Sequence, residues 1–335
     1  MTLVNAGDVP TRVHGGPDQH GVPLYDFSTN SNACGPCPAA LAAIVQADSA
    51  HYPDSSYTAL RGELAAFHKV DAHRIVLAAS ASEFIFRITA LAVQRGAAAV
   101  WLPAHSYGDY AQAAQAQRLP VAAAPGAAQL LWACEPSSPL GGPQHGLAAM
   151  IDGLASGAIA VLDRAYEPLR LTGACSLDEE QVNQVWQLWT PNKALALTGI
   201  RAAYAIAPLK AEADIEAIDQ LCPSWPIGAH GVAMLLAWVT REVQDWLAAT
   251  LATLREWKAR QVANCEALGW ACLRGDANFF CARPVLPPQV DLQQALARLR
   301  AQGIKLRDTT SFGLPGHVRI SVQPPAAQAA LAGAF

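Results

Sequence analysis

Apolar positions along the chain change their period several times, and those changes mark the elements. From Pro38 to Ala47 an alanine- and leucine-bearing run follows a proline suited to a helix's first turn. Leu60, Leu64 and Phe67 then recur at helical spacing. RIVLAAS, from Arg74, reads as a strand, SASEFIFRITALAVQRG as the helix after it, and AAAVWLP, from Ala97, as the next strand. Two further apolar runs end at Cys134 and Asp163, the first leading into a double-proline turn. VNQVWQLWT leads to a loop, after which RAAYAIA makes a strand beginning at Arg201. Alternation of strand and helix from Ile75 to Leu162 predicts an α/β fold with a mainly parallel sheet, whose ligands sit at the carboxyl ends of the strands.

Beyond Cys222 the character changes. Broken turns are followed by a long alanine- and leucine-rich helical stretch to about Leu268. Strands near Ala271 to Leu273 and Asn278 to Ala282, a helix from Leu292 to Gln302, and the segments IKLRD and HVRISV then suit a small α+β unit. The first fifty residues read as irregular, with Gly15, Gly16, Pro17, Gly21 and Pro23. The expected organisation is an arm (1–37), a large domain (38–225), linker helices (226–268) and a small C-terminal domain (269–335).

Composition narrows the partners. The chain has 335 residues, 52% of them hydrophobic, which predicts about two domains and a large core. Its net charge is −4, with only 23 Lys plus Arg and no basic run, so nucleic acid is excluded and a small substrate is expected. No apolar run reaches the roughly 18–20 residues that a bilayer span needs. The first residues lack the order of a secretion signal, so a cytoplasmic protein is expected. In that compartment its 8 cysteines read as free thiols. Cys34-Gly35-Pro36-Cys37 has the spacing of a thioredoxin-type redox site and supplies a rival function, although it follows a polar segment, STNSNA, where such a site follows a strand.

The densest chemistry lies in TPNKALALTGIR. A lysine in an apolar stretch is ordinarily a surface residue whose stem is buried. Lys193, however, has Thr190 before it and Gly199 and Arg201 after it, and AIAVLDRAYEP upstream ends a strand in Asp163 and then Tyr166. This set reads as a pyridoxal 5'-phosphate site, with the lysine holding the cofactor as a Schiff base and the acid facing the pyridinium nitrogen. The acid keeps that nitrogen protonated so that the ring takes up electrons from the substrate. Tyr166 bonds the phenolic oxygen, and Arg201 neutralises the phosphate with its planar fork.

On these residues the chain resembles the fold-type I pyridoxal-phosphate enzymes of aminotransferase class I/II, in the branch of histidinol-phosphate aminotransferases and threonine-phosphate decarboxylases. The resemblance covers nearly the whole chain and implies a large domain with a mainly parallel seven-stranded sheet and a small α+β C-terminal domain. It extends to His14-Gly15-Gly16 and to Asp26 to Asn30 in the arm. It implies that Tyr52, in Tyr-Pro-Asp, reaches a partner subunit's cofactor phosphate across a homodimer interface. Ala81 and Ser82, at a helix N-terminus suited to an anion, would seat the phosphate. Tyr107, in a Tyr-x-x-Tyr element where His105 and Ser106 replace the family's Pro and Thr, would stack on the pyridine. The Asn-Pro-x-Asn-Pro-Thr-Gly element is altered to Glu135, Ser138 and Leu140 at its Asn and Thr positions, which leaves Ser138 to reach the phenolic oxygen and the substrate carboxylate. Arg319, in GLPGHVRISV, would bind that carboxylate, with Arg307 as a second candidate.

The expected activity is therefore amino transfer between an amino acid or a phosphorylated amine and a 2-oxo acid, with Lys193 as acid and base. Threonine-phosphate-like decarboxylation is the alternative, favoured by His-Gly-Gly. Thiol redox chemistry through Cys34 and Cys37 is the distant one.

Overall fold

The computed structural model describes residues 14–335. Its elements in the first part of the chain are β1 (Tyr25–Asp26), α1 (Pro38–Val45), α2 (Thr58–His68), β2 (Ile75–Ala78), α3 (Ala81–Gln94), β3 (Val100–Trp101) and α4 (Gly108–Ala116). They continue with β4 (Leu130–Cys134), α5 (Leu147–Asp152), β5 (Ile159–Asp163), α6 (Glu179–Val182), β6 (Trp186–Trp189), β7 (Ala203–Ile206) and α7 (Glu212–Gln220). β2 to β7 make a six-stranded sheet in the order β2-β7-β6-β5-β4-β3. The pairings β3–β4, β4–β5 and β5–β6 are parallel, while β7 runs antiparallel to both of its neighbours.

β4 and β5 are buried at every position, as a sheet covered on both faces requires. Alternation decides which face each side chain joins. Ile75 and Leu77 enter a core shared with α1 and α2, while Val76 and Ala78 enter another shared with α3 and α4. The seventh strand expected from the resemblance is absent among the described residues: only a single bridge pairs Val100 with Val121. Pro120 and Pro125 bracket that segment and withhold the amide donors a longer ladder needs.

The chain then forms α8 (Ala229–Trp238) and α9 (Arg241–Ala267), which are separate helices because Thr240 caps the second, its hydroxyl accepting from the Val243 amide at 3.4 Å. α9 runs for 27 residues, about 40 Å, contributing Leu247 and Leu254 to the first core and Cys265 to the core of the C-terminal part. That part comprises β8 (Ala271–Cys272), β9 (Phe279–Arg283), α10 (Leu292–Ala301), β10 (Ile304–Lys305), β11 (Arg307–Asp308), β12 (Val318–Ser321) and α11 (Pro325–Gly333). Its antiparallel sheet has the order β11-β12-β9-β8.

Two expectations are corrected. The arm is not wholly irregular: β1 pairs in parallel with β10, and Phe27 is fully buried in the C-terminal core. The last strand of the large sheet starts at Ala203, so Arg201 lies in the turn before it. No described helix is long and apolar enough to cross a membrane.

Candidate active site

The carboxyl ends of β4, β5 and β6 open on a cavity of about 520 Å³, lined on its other side by Ser28 to Asn30 of the arm and by residues of β11 and β12. Asp163, the last residue of β5, is 4% exposed. Its Oδ2 accepts from the Tyr110 hydroxyl at 2.6 Å and its Oδ1 from the Ala165 amide at 2.9 Å. Burial pushes this carboxyl above the usual range, against the pull of those two bonds and the Lys193 charge. A carboxylate in that balance is completed by a cation placed against it. Tyr110 is held rigidly, stacked on Trp132 with ring centroids 4.3 Å apart.

Lys193 follows β6 in a loop tied to the arm: the Asn32 amide donates to its carbonyl at 2.9 Å. Its ammonium stands 5.4 Å from the centroid of the Tyr166 ring. Thr190 donates through Oγ1 to Asn192 Oδ1 at 2.8 Å, bracing the same loop. The Tyr166 hydroxyl accepts from Asn30 Nδ2 at 3.2 Å. At the opposite wall, Ala81 and Ser82 open α3, where first-turn amides lack helical partners. Ser82 Oγ lies 3.3 Å from the Tyr107 hydroxyl, and burial pushes the Tyr107 phenol upward. Arg201, just before β7, also lines the cavity.

The third wall is cationic. Arg319 donates through Nη1 to Ser138 Oγ at 3.1 Å and through Nη2 to the Ser28 carbonyl at 3.0 Å. Arg307 donates to Ser311 Oγ at 2.7 Å and stands over the Phe312 ring at 4.7 Å.

All the residues expected at the site except Tyr52 thus line one cavity. Tyr52 is 77% exposed on the surface, stacked on Trp225 at 4.5 Å. Ser138 lines the cavity, and its hydroxyl accepts from Arg319, which leaves its own proton to donate. Glu135 turns away from the cavity, accepting from the Ser176 amide at 2.8 Å and pairing with Arg170 at 3.4 Å. Cys34 and Cys37 lie outside the cavity. Cys37, not Cys34, stands at the N-cap position of α1, with no side-chain cap bond, and burial raises the Cys34 thiol, the reverse of an activated thiolate.

Sequence reasoning used His14, Asn30 and the Tyr-x-x-Tyr element ending at Tyr110 only to carry the resemblance and gave these three residues no role at the site. Tyr110 had a signal, since Tyr107 and Tyr110 are one helical turn apart just past a strand. His14 lines the cavity with its ring 6.2 Å from that of Tyr107. Gly15 permits this approach, because a Cβ there would meet the Ser28 carbonyl oxygen at 2.1 Å.

The fold and this cavity define an α/β enzyme with a lysine and a buried acid at the carboxyl edge of a mixed sheet. The chain belongs to the aminotransferase class I and II family, which it matches over residues 22–334. It is 29% identical over 321 residues to a histidinol-phosphate aminotransferase of Halorubrum lacusprofundi, covering 89% of this chain and 84% of that protein. Among solved structures it is similar to the histidinol-phosphate aminotransferase of Sinorhizobium meliloti in complex with pyridoxal-5'-phosphate, with a TM-score of 0.77, 22% identity, and coverage of 91% of this chain and 87% of that one. It is also similar to L-threonine-O-3-phosphate decarboxylase from Porphyromonas gingivalis, with a TM-score of 0.78, 18% identity, and coverage of 93% and 98%.

Proposed function

We propose that the protein is a pyridoxal-5'-phosphate-dependent aminotransferase of the histidinol-phosphate aminotransferase type, moving an amino group between an amino acid or phosphorylated amine and a 2-oxo acid. The observation that supports this most is the convergence of Lys193 and the buried Asp163 on one cavity, beside the open end of α3. The residues fit the cofactor: no salt bridge among the described residues involves the buried Asp163 carboxyl, the α3 amides suit a phosphate, and the cavity volume accommodates a small aromatic ring. When bound, the cofactor supplies a carbonyl that condenses with amines and a ring that takes up the electron pair released at the substrate α-carbon.

Asp163, oriented by Tyr110, would hold a proton on the ring nitrogen. Tyr107 would cover the ring face, and Tyr166 would donate toward the phenolic oxygen. Ala81, Ser82 and Arg201 would take the phosphate, while Thr190 braces the lysine loop. The Lys193 amine would hold the cofactor and, when released, would take and return the proton at the α-carbon. Arg319, oriented by Ser138, and Arg307 receive the anionic end of the substrate. Tyr52, outside its own subunit's cavity, completes the partner's site in a homodimer. The segments 1–37, 38–225, 226–268 and 269–335 act as arm, large domain, linker and small domain, in a cytoplasmic protein.

The test is borohydride reduction followed by peptide mapping, together with amino-transfer assays on histidinol phosphate with and without 2-oxoglutarate. The reduced adduct is expected on Lys193, and turnover is expected to require the 2-oxo acid. An adduct retained in Lys193→Ala sinks the cofactor assignment. Carbon dioxide release without any 2-oxo acid makes the protein a decarboxylase.

A further inference from the structure

Two asparagines of the arm, Asn30 and Asn32, are both 2% exposed, yet their amides are used differently. Asn32 pairs both ends: Nδ2 donates to the Ala194 carbonyl at 3.1 Å and to Thr250 Oγ1 at 2.9 Å, and Oδ1 accepts from the Cys34 amide at 3.0 Å. That is how an asparagine serves as scaffold. Asn30 lines the cavity, gives Nδ2 to the Tyr166 hydroxyl at 3.2 Å, and leaves Oδ1 buried with no hydrogen-bond partner among the described residues. A buried polar atom left unpaired calls for an explanation outside the scaffold.

The turn Glu135 to Gly141 offers none of the amide chemistry this part of the cavity needs. Glu135 faces Arg170 and Ser176, and Ser138 Oγ accepts from Arg319. Asn30 brings an amide to Tyr166 from a distant part of the chain. A tyrosine hydroxyl has one proton and an oxygen that accepts. With Asn30 donating to the oxygen, the proton is free to point elsewhere. Tyr166 itself is packed edge-on against Phe279 at 4.8 Å, so its ring does not swing away from this contact.

We propose that Asn30 is a positioning residue for Tyr166: by donating to the hydroxyl oxygen it turns the tyrosine's own proton toward the cofactor's phenolic oxygen. This rests on the cofactor assignment made above. A donor at that oxygen favours its anionic form, so losing the donor raises the pH at which the lysine-bound cofactor changes colour.

The experiment titrates the visible band of the bound cofactor with pH in the parent, Asn30→Ala, Asn30→Asp, Tyr166→Phe and the double variant Asn30→Ala/Tyr166→Phe. The midpoint is expected to rise by about one pH unit in Asn30→Ala. It should rise further in Asn30→Asp, whose carboxylate can only accept and so takes the tyrosine's proton for itself. The double variant should match Tyr166→Phe alone, because Asn30 acts through that hydroxyl. An unchanged midpoint in Asn30→Ala and Asn30→Asp proteins that retain the band overturns the proposal, as does an additive shift in the double variant. If Asn30→Ala loses its fold by circular dichroism, the near-isosteric Asn30→Asp decides. A parent protein without any band overturns the cofactor assignment instead, so the two failures are distinct.

Discussion

Arg307 and Arg319 are direct partners in the antiparallel register of β11 and β12, two buried guanidinium groups on one wall of the cavity. Like charges directly opposite destabilise a strand pair. Burial and the neighbouring Arg319 charge lower Arg307 to about 10. In the proposed function an anionic substrate group would relieve that strain.

Arg319→Lys should therefore be damaging. Lysine is a point charge that cannot reproduce two parallel bonds, and losing one charged bond costs about 1.5–3 kcal/mol, roughly ten- to more than a hundredfold in kcat/KM. The cofactor should remain bound, because the residues proposed to hold its phosphate and ring lie on other walls. Steady-state kinetics with spectral quantification of cofactor checks this. Parent-like turnover would remove the arginine from substrate binding.

Tyr110→Phe deletes the bond to Asp163 Oδ2 but keeps the stack on Trp132. A buried carboxylate deprived of one donor is harder to ionise, and its grip on a protonated ring nitrogen weakens. Titrating cofactor-free protein with pyridoxal 5'-phosphate, followed by fluorescence, should show a dissociation constant about tenfold higher or more. An unchanged constant would mean that Asp163 needs no orienting partner.

His68 predicts an acid-sensitive window. Burial, and secondarily the Arg164 charge, lower its imidazole from 6.5 to about 4, while Nε2 lies 2.8 Å from the Tyr204 hydroxyl. The unfolded chain takes up the proton first, so stability is undiminished above pH 6.5 and is lost as pH falls toward 4, by about 3 kcal/mol in all. In His68→Gln, denaturant melts at pH 7 and pH 4.5 should differ by less than in the parent. Equal pH dependence in both proteins would assign the acid loss to other groups.

Replacing Cys34 and Cys37 together with serine should leave turnover within a few-fold. Their thiols are free, and the α1 cap position belongs to Cys37. A loss of about a hundredfold, or a disulfide reductase activity that vanishes with the pair, would restore a redox role.

What the sequence determined was local. The apolar runs of β2, β4, β5 and β6 are short and bounded by turns, so the strands and the polar residues at their carboxyl ends were legible. Asp163 and Lys193 were found because each ends or follows such a run. The resemblance supplied the arginine wall and the helix terminus that later met in one cavity. Contacts between distant segments were not legible. Nothing in the arm's spacing shows that Tyr25 and Asp26 pair with Ile304 and Lys305, or that Asn30 meets Tyr166. Which side chains serve the site and which are consumed elsewhere was likewise a tertiary decision. Ser138 gives its oxygen to Arg319, Glu135 turns to Arg170 and Ser176, and Tyr110 takes Asp163. The physical reason is that hydrogen-bond capacity is finite and buried groups must all be satisfied at once. Residue type and periodicity specify an element and the chemistry it carries. Only the packed structure decides, from competition among neighbours, which partner each polar atom obtains.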